Sequence, residues 1–255
     1  MTAELLNTHR IIWEEKPVLR AIYHHYYQRI LSYAKDGKTL EVGGGTGNLK
    51  NYLPNCVSTD ILKTPWIDAT CDAQLLPFAN DSFDNIVAVD VLHHIERPIR
   101  FLKEAERVLK KGGRLILLEP AITKVSWFFY HFFHPEPVIL SADPLEDASI
   151  NPLKEAFDAN QAIPELIFGK YYPTFVNHFP QFLLIKKEYL SLFAYPLSGG
   201  FRKWCLIPVR FVNLLLEVEK KLERLLAKHI GFRLLVAIEK SSNSSLIKPP
   251  DEISV

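Results

Sequence analysis

Apolar and polar positions along this chain follow two rhythms. Residues 17–34 place Leu19, Ile22, Tyr23, Tyr26, Tyr27 and Ile30 on one helical face behind Pro17, which predicts a helix leading into the main domain. Residues 39–42 then read as a short strand ending in Gly43-Gly44-Gly45-Thr46-Gly47, and residues 48–53 as the start of a helix that Pro54 stops. Residues 57–60 and the β-branched run 84–91 predict two more strands, apolar enough for burial on both faces of a parallel sheet. Ile99, Leu102, Ala105, Val108 and Leu109 recur at helical spacing, Lys110-Lys111-Gly112-Gly113 closes that helix, and residues 114–119 form another strand. Strands alternating with helices predict an α/β, doubly wound, mostly parallel sheet with right-handed crossovers.

The rhythm breaks after Pro120. Residues 120–180 hold eight of the 17 prolines and twelve of the aromatic residues, so a continuing sheet is not expected and the segment reads as an inserted helical or irregular cap. Beyond it, residues 188–195 suit a strand, and residues 209–229 an amphipathic helix with Phe211, Leu214, Leu215, Val218, Leu222, Leu225 and Leu226 on one stripe. Because its charges are balanced, the helix is expected to pack on the sheet or cap, and contact with a membrane surface is the less favoured reading. Residues 232–238 read as a last strand. The expected organisation is an N-terminal helical segment at 1–35, a core at 36–120, the cap at 121–187, a C-terminal completion of the core at 188–240, and a polar, disordered tail at 241–255.

Composition narrows the partners. With 255 residues, 48% of them hydrophobic, the chain can build one sizeable core. Thirty basic against 29 acidic residues leave a formal charge of +1, which gives no global reason to expect a nucleic-acid partner. Cys56, Cys71 and Cys205 are odd in number and widely spaced, arguing against both a disulfide framework and a zinc site, and no metal is expected. No basic start followed by an apolar run marks a signal peptide, and no apolar run approaches the ~18–20 residues of a membrane span, so a cytoplasmic location is expected. Oligomeric state is not legible.

The chemistry begins at the glycine turn. A chain leaving a strand and turning sharply into a helix needs angles that glycine alone tolerates cheaply, and the bare backbone and helix start can receive a carboxylate or a phosphate. A dinucleotide fingerprint would put its third glycine at position 48, where Asn48 stands. Glu41 would repel a pyrophosphate but could pair with an ammonium group. Asp60, at the end of the next strand, is placed to accept hydrogen bonds from both hydroxyls of a ribose. An adenosine ligand with an amino-acid end fits better than NAD(P), although a Rossmann oxidoreductase remains the rival reading.

Here the chain resembles the class I S-adenosylmethionine-dependent methyltransferases. Residues 40–47, LEVGGGTG, look like their first motif, with Gly44 departing from the Cys or other small residue of many members. The resemblance runs on through residues 72–78, 82–84, 91–95 and 109–115, covering about residues 38–120. It implies a seven-stranded Rossmann-like sheet, S-adenosylmethionine as cofactor, and transfer of a methyl group to a small-molecule acceptor. By position it implies that Glu41 holds the methionine ammonium, that Gly43, Gly44, Gly45 and Gly47 line the methionine and ribose, and that Asp60 takes the ribose hydroxyls. Asp72 and Ala73 would flank the adenine, and Asp90 and Val91 would border the sulfonium. Asp60 and Asp72 can alternatively serve as caps of local turns.

An oxygen or carbon acceptor also loses a proton, and the candidate bases are His94 first, then Glu119, His93 and Asp90 at the sheet's carboxyl edge. His131, His134 and His178 could reach in from the cap. The aromatics of 125–133 are expected mainly as cap core, and with Tyr171, Tyr172, Phe175 and Phe179 they point to an apolar or aromatic acceptor. A catalytically silent binding subunit is the alternative from another class.

Overall fold

The structure is a computed structural model that describes residues 3–151 and 153–242. Seven strands form one sheet: β1 (Thr39–Val42), β2 (Cys56–Asp60), β3 (Ala69–Thr70), β4 (Phe83–Val89), β5 (Leu109–Pro120), β6 (Phe182–Leu190) and β7 (Arg233–Lys240). Their order is β3-β2-β1-β4-β5-β7-β6, with β7 antiparallel to both of its neighbours and the pairs from β3 through β5 parallel. The order reverses between β1 and β4, and ligands of open parallel sheets sit outside the strand carboxyl ends at such a reversal.

Alternate strand residues go to opposite faces, and both faces are covered. Leu40, Ile86, Ala88, Leu115, Leu117 and Val236 enter one core, while Val87, Ile116, Leu118, Leu235 and Ala237 enter the other. The helices are α1 (Ala3–Glu15), α2 (Pro17–Tyr33), α3 (Pro98–Val108), α4 (Lys124–Phe133), α5 (Ile163–Glu165), α6 (Tyr172–His178), α7 (Ala194–Ser198) and α8 (Val212–Ile230). Trp13 of α1, Leu19 and Ile22 of α2, and Val212 and Leu216 of α8 fill the second core; Leu102 of α3 and Phe175 of α6 fill the first.

Several elements differ from the sequence reading. Residues 48–51 make only a 3-10 turn, because Gly47 enters it at φ 75° and the chain leaves at Tyr52 for β2. Lys110 to Gly113 lie inside β5 as a bulge, where pairing jumps from Phe83–Leu109 to Asn85–Arg114, so they do not close α3. The strand expected at 188–195 runs instead over Phe182–Leu190, and residues 194–198 are helical. The expected stripe of α8 is largely exposed: the helix packs through Val212, Leu216, Glu219 and Ala227, while Leu214, Val218 and Leu225 face outward. The aromatics of α4 are not a cap core either, since only Ser126 and Tyr130 of this helix are buried. The tail expected at 241–255 lies, beyond residue 242, outside the described residues. Among the described residues no helix is long and apolar enough to cross a membrane.

Candidate active site

The carboxyl ends of β1, β2 and β4 open into a cavity of about 1090 Å³. The size exceeds the ~300–1,000 Å³ usual for a single ligand, leaving room for two. Gly43, Gly45 and Gly47 all have positive φ. At Gly43 the need is also steric, since an added Cβ would overlap the Val91 side chain. At Gly44 an added Cβ would overlap Ser58 Oγ, the hydroxyl that donates to Glu41 Oε2. The glycine at this departure from the family pattern is matched by a serine on the neighbouring strand.

Glu41 is buried, 5% exposed, at the cavity floor. Burial raises its carboxyl to about 7, outweighing the Ser58 hydrogen bond and the Lys50 charge that act the other way. Asp60 accepts from Gly45 N–H at 2.8 Å through one oxygen and from Leu62 N–H at 2.9 Å through the other. Each oxygen keeps a lone pair, so capping the turn and receiving a ligand hydroxyl are compatible. Asp72 likewise accepts from Gln74 N–H at 2.8 Å and lines the cavity together with Ala73.

Asp90 is held at φ 58° at the end of β4, and its carboxylate takes both terminal nitrogens of buried Arg233. Tyr23 donates to it at 3.2 Å. Both carboxylate oxygens of Asp90, one of the candidate bases, are thus engaged by the Arg233 guanidinium and the Tyr23 hydroxyl. Glu119 is corrected as a base. At 1% exposure it accepts from the backbone N–H of Val91 (3.0 Å) and Leu92 (2.8 Å), and its second oxygen sits 2.6 Å from His93 Nδ1. It orients a neighbour and does not line the cavity.

His93 in turn presents Nε2 to Glu136 Oε2 at 3.5 Å. Burial alone would lower its pKa, but hydrogen bonds to the carboxylates of Glu119 and Glu136 outweigh that and lift it to about 9, so His93 is an imidazolium at neutral pH. His94, 4.2 Å away between ring centroids, goes the other way: burial and then the His93 charge lower it to about 4. Its Nδ1 is buried without a hydrogen-bond partner. Of the two histidines, His94 is the one that stays neutral and able to accept a proton. His93, His94 and Glu136 bring ligand atoms within 4.8 Å of one another, but an imidazolium at His93 has no lone pair to offer a metal.

Cap residues complete the wall: Phe129, Tyr130, His134 and Phe157, joined by Phe201 and Phe232. Lys154, which also lines the cavity, ties the cap to the turn after β4, donating to the carbonyls of His94 and Asp158 at 2.6 Å each. His134 reaches the cavity; His131 stacks on Trp127 and His178 lies elsewhere. Tyr171, Tyr172, Phe175 and Phe179 do not line it either, for they pack in or against the sheet core.

The pattern of residues 40–117 matches the family model described as "Methyltransferase domain". That match, over residues 40–117, and the seven-stranded sheet agree with the resemblance to the class I S-adenosylmethionine-dependent methyltransferases. S-adenosylmethionine is the cofactor of that family. The chain is 40% identical over 128 residues to the ubiquinone/menaquinone biosynthesis C-methyltransferase of Geotalea daltonii, covering 40% of this chain and 54% of that protein. It is 46% identical over 131 residues to the mouse (Mus musculus) protein named "Probable tRNA methyltransferase 9B", covering 45% of this chain and 29% of that one. The chain thus spans about half, or less, of the length of these relatives. In fold it is similar to a Thermotoga maritima "SAM-dependent methyltransferase, possible histamine N-methyltransferase", with TM-score 0.53, 18% identity, and coverage of 88% of this chain and 92% of that one.

The sequence reading missed Glu136, Arg233 and Lys154. Each sits far along the chain from the motif it serves, in a stretch with no spacing pattern to single it out. Only one signal was available, a basic residue opening the apolar run 234–238 at Arg233.

Proposed function

We propose that this chain binds S-adenosylmethionine along the carboxyl edge of β1, β2 and β4 and methylates an oxygen or carbon of an apolar or aromatic small molecule. One observation carries the reading: a single cavity runs from the carboxylates of Glu41, Asp60 and Asp72 to His94 and a wall built from Phe129, Phe157, Phe201 and Phe232. Glu41 would hold the ammonium, Asp60 the ribose hydroxyls, and Asp72 with the backbone at Ala73 the adenine. Val91 and the tied Asp90 would border the sulfonium. When bound, the cofactor supplies a methyl group on a positively charged sulfur.

The protein's share is then positioning and proton removal. His94, which lines the cavity and stays neutral, would accept the acceptor's proton. His93, kept charged by Glu119 and Glu136, offsets negative charge that develops on the deprotonated acceptor. The Geotalea relative, named for quinone biosynthesis, agrees with an apolar acceptor. The mouse relative's name raises a tRNA acceptor instead, but the aromatic wall favours a small molecule.

The test is release of S-adenosylhomocysteine from purified protein given S-adenosylmethionine and either alkylphenols and quinols or small charged acids. Turnover of the apolar set is expected. With saturating cofactor, His94→Ala should slow it by roughly 10²–10⁴-fold. Turnover of charged acceptors alone would sink the acceptor assignment, and an unchanged rate in His94→Ala would remove the base.

A further inference from the structure

Outside the cavity, α4 and α8 pack against each other and leave large apolar side chains uncovered. On α4 these are Trp127, Phe128, Phe132 (60% exposed) and Phe133; on α8 they are Leu214, Val218 and Leu225 (73% exposed). Trp204, Leu206 and Phe211, from the segment leading into α8, are exposed as well. Soluble surfaces scatter such residues singly; concentrated on two touching helices they mark an interface.

The charges around this face identify the occupant. The whole chain is nearly neutral at +1, yet residues 199–216 hold Arg202, Lys203 and Arg210 and no acid. On the exposed surface of α8, Lys220, Lys221, Arg224 and Lys228 stand against Glu217 alone, because Glu219 is buried and Glu223 is engaged with Arg29 and Ser191. Lys124 opens α4, which has no acid at all. A 100° step per residue sets Leu214, Val218 and Leu225 on one exposed strip, with Lys221 and Lys228 directly beside it. An apolar strip edged by basic residues is the pattern of a helix lying in the plane of an anionic bilayer surface.

We propose that the α4–α8 face docks this protein on anionic phospholipid membranes. The cavity lies beside it: Phe129 and Tyr130 of α4 line the cavity while Phe128 and Phe132 of the same helix face outward, and Arg202 and Trp204 line it next to exposed Lys203. Docking would therefore set the cavity beside the lipid boundary. It requires no particular acceptor, and the test uses none.

The experiment is co-sedimentation of the full chain with vesicles of phosphatidylcholine, with and without phosphatidylglycerol. Binding to the anionic vesicles should exceed binding to neutral ones at least tenfold and fall with added salt. Two variants, Leu214→Ser/Leu225→Ser and Lys221→Gln/Arg224→Gln/Lys228→Gln, should each weaken it about tenfold or more while keeping the wild-type melting temperature and S-adenosylhomocysteine affinity. Equal partitioning of wild type and variants, or none by the wild type, overturns the proposal. So does either rival occupant in the absence of vesicle binding: a concentration-dependent dimer that Leu214→Ser/Leu225→Ser abolishes, or a tRNA probe whose binding the basic-residue variant abolishes.

Discussion

Glu41 shows how far a single residue can be read from sequence. An acid two positions before a glycine turn is legible as a candidate ammonium partner because that inference needs only charge signs and local spacing. Its protonation is not, since that depends on burial by neighbours that no motif records. With its carboxyl raised to about 7, Glu41 must lose a proton before it can hold an ammonium group, so cofactor affinity should be flat above that pH and fall below it. Calorimetry with S-adenosylhomocysteine should show roughly a tenfold loss per pH unit below about 7, and Glu41→Gln should bind weakly with that dependence gone. Equal wild-type affinity at about pH 5.5 and about pH 8 would refute the pairing. Gly44 is similar: its departure from the family pattern was visible, but its cause, the Ser58 hydroxyl reaching Glu41 through the space a side chain would fill, is a cross-strand contact.

At the scale of elements, legibility tracked burial. Strands β1, β2, β4 and β7 were read within two residues of their observed ends, β4 and β7 because they are buried on both faces and carry long apolar runs, β1 and β2 because the glycine turn and the acid at Asp60 mark where they stop. Edge strands were not. β6 carries Lys186, Lys187 and Glu188 as the sheet's outer strand, the charges that protect an edge from further pairing, and they hid it. The apolar stripe of α8 was found but given the wrong partner, since periodicity locates an apolar face without saying what covers it. The end of β5 is a third case. Glu119 looked like a candidate base beside a proline, yet it serves the turn after β4, binding two backbone N–H groups and His93. Glu119→Gln would leave that turn and the His93 ring with a neutral partner. It should destabilise the fold by about 3–5 kcal/mol, as loss of one member of a buried ion pair does. It should also move the His93 pKa down from about 9, measurable by the ring-proton NMR titration. A His93 titration unchanged in Glu119→Gln would show that Glu136 alone sets it.

Over the whole molecule, the features beyond local reading are the junctions where distant segments close the cavity. Arg233 is the tightest. It begins β7 and extends to Asp90 at the end of β4, beneath Tyr195 of α7 (4.1 Å) and beside Tyr26 of α2 (5.7 Å). Four segments spread across the sequence thus meet on one guanidinium, 3% exposed, while its carboxylate partner holds the strained backbone position at the cavity edge. Sequence offers no spacing for such a contact, because the sheet order, not chain order, brings β7 near β4. Its energetics separate a true pair from two independent residues. Arg233→Met strands the Asp90 carboxylate, and Asp90→Asn strands a buried guanidinium, so each alone should cost about 3–5 kcal/mol in urea unfolding. Combined, the two changes remove both charges and leave neither unmatched, so the double variant should cost well under the sum, by at least ~1–2 kcal/mol. Additive losses would mean that the two side chains stabilise separate parts of the fold, and that Asp90 is free to act on a ligand after all.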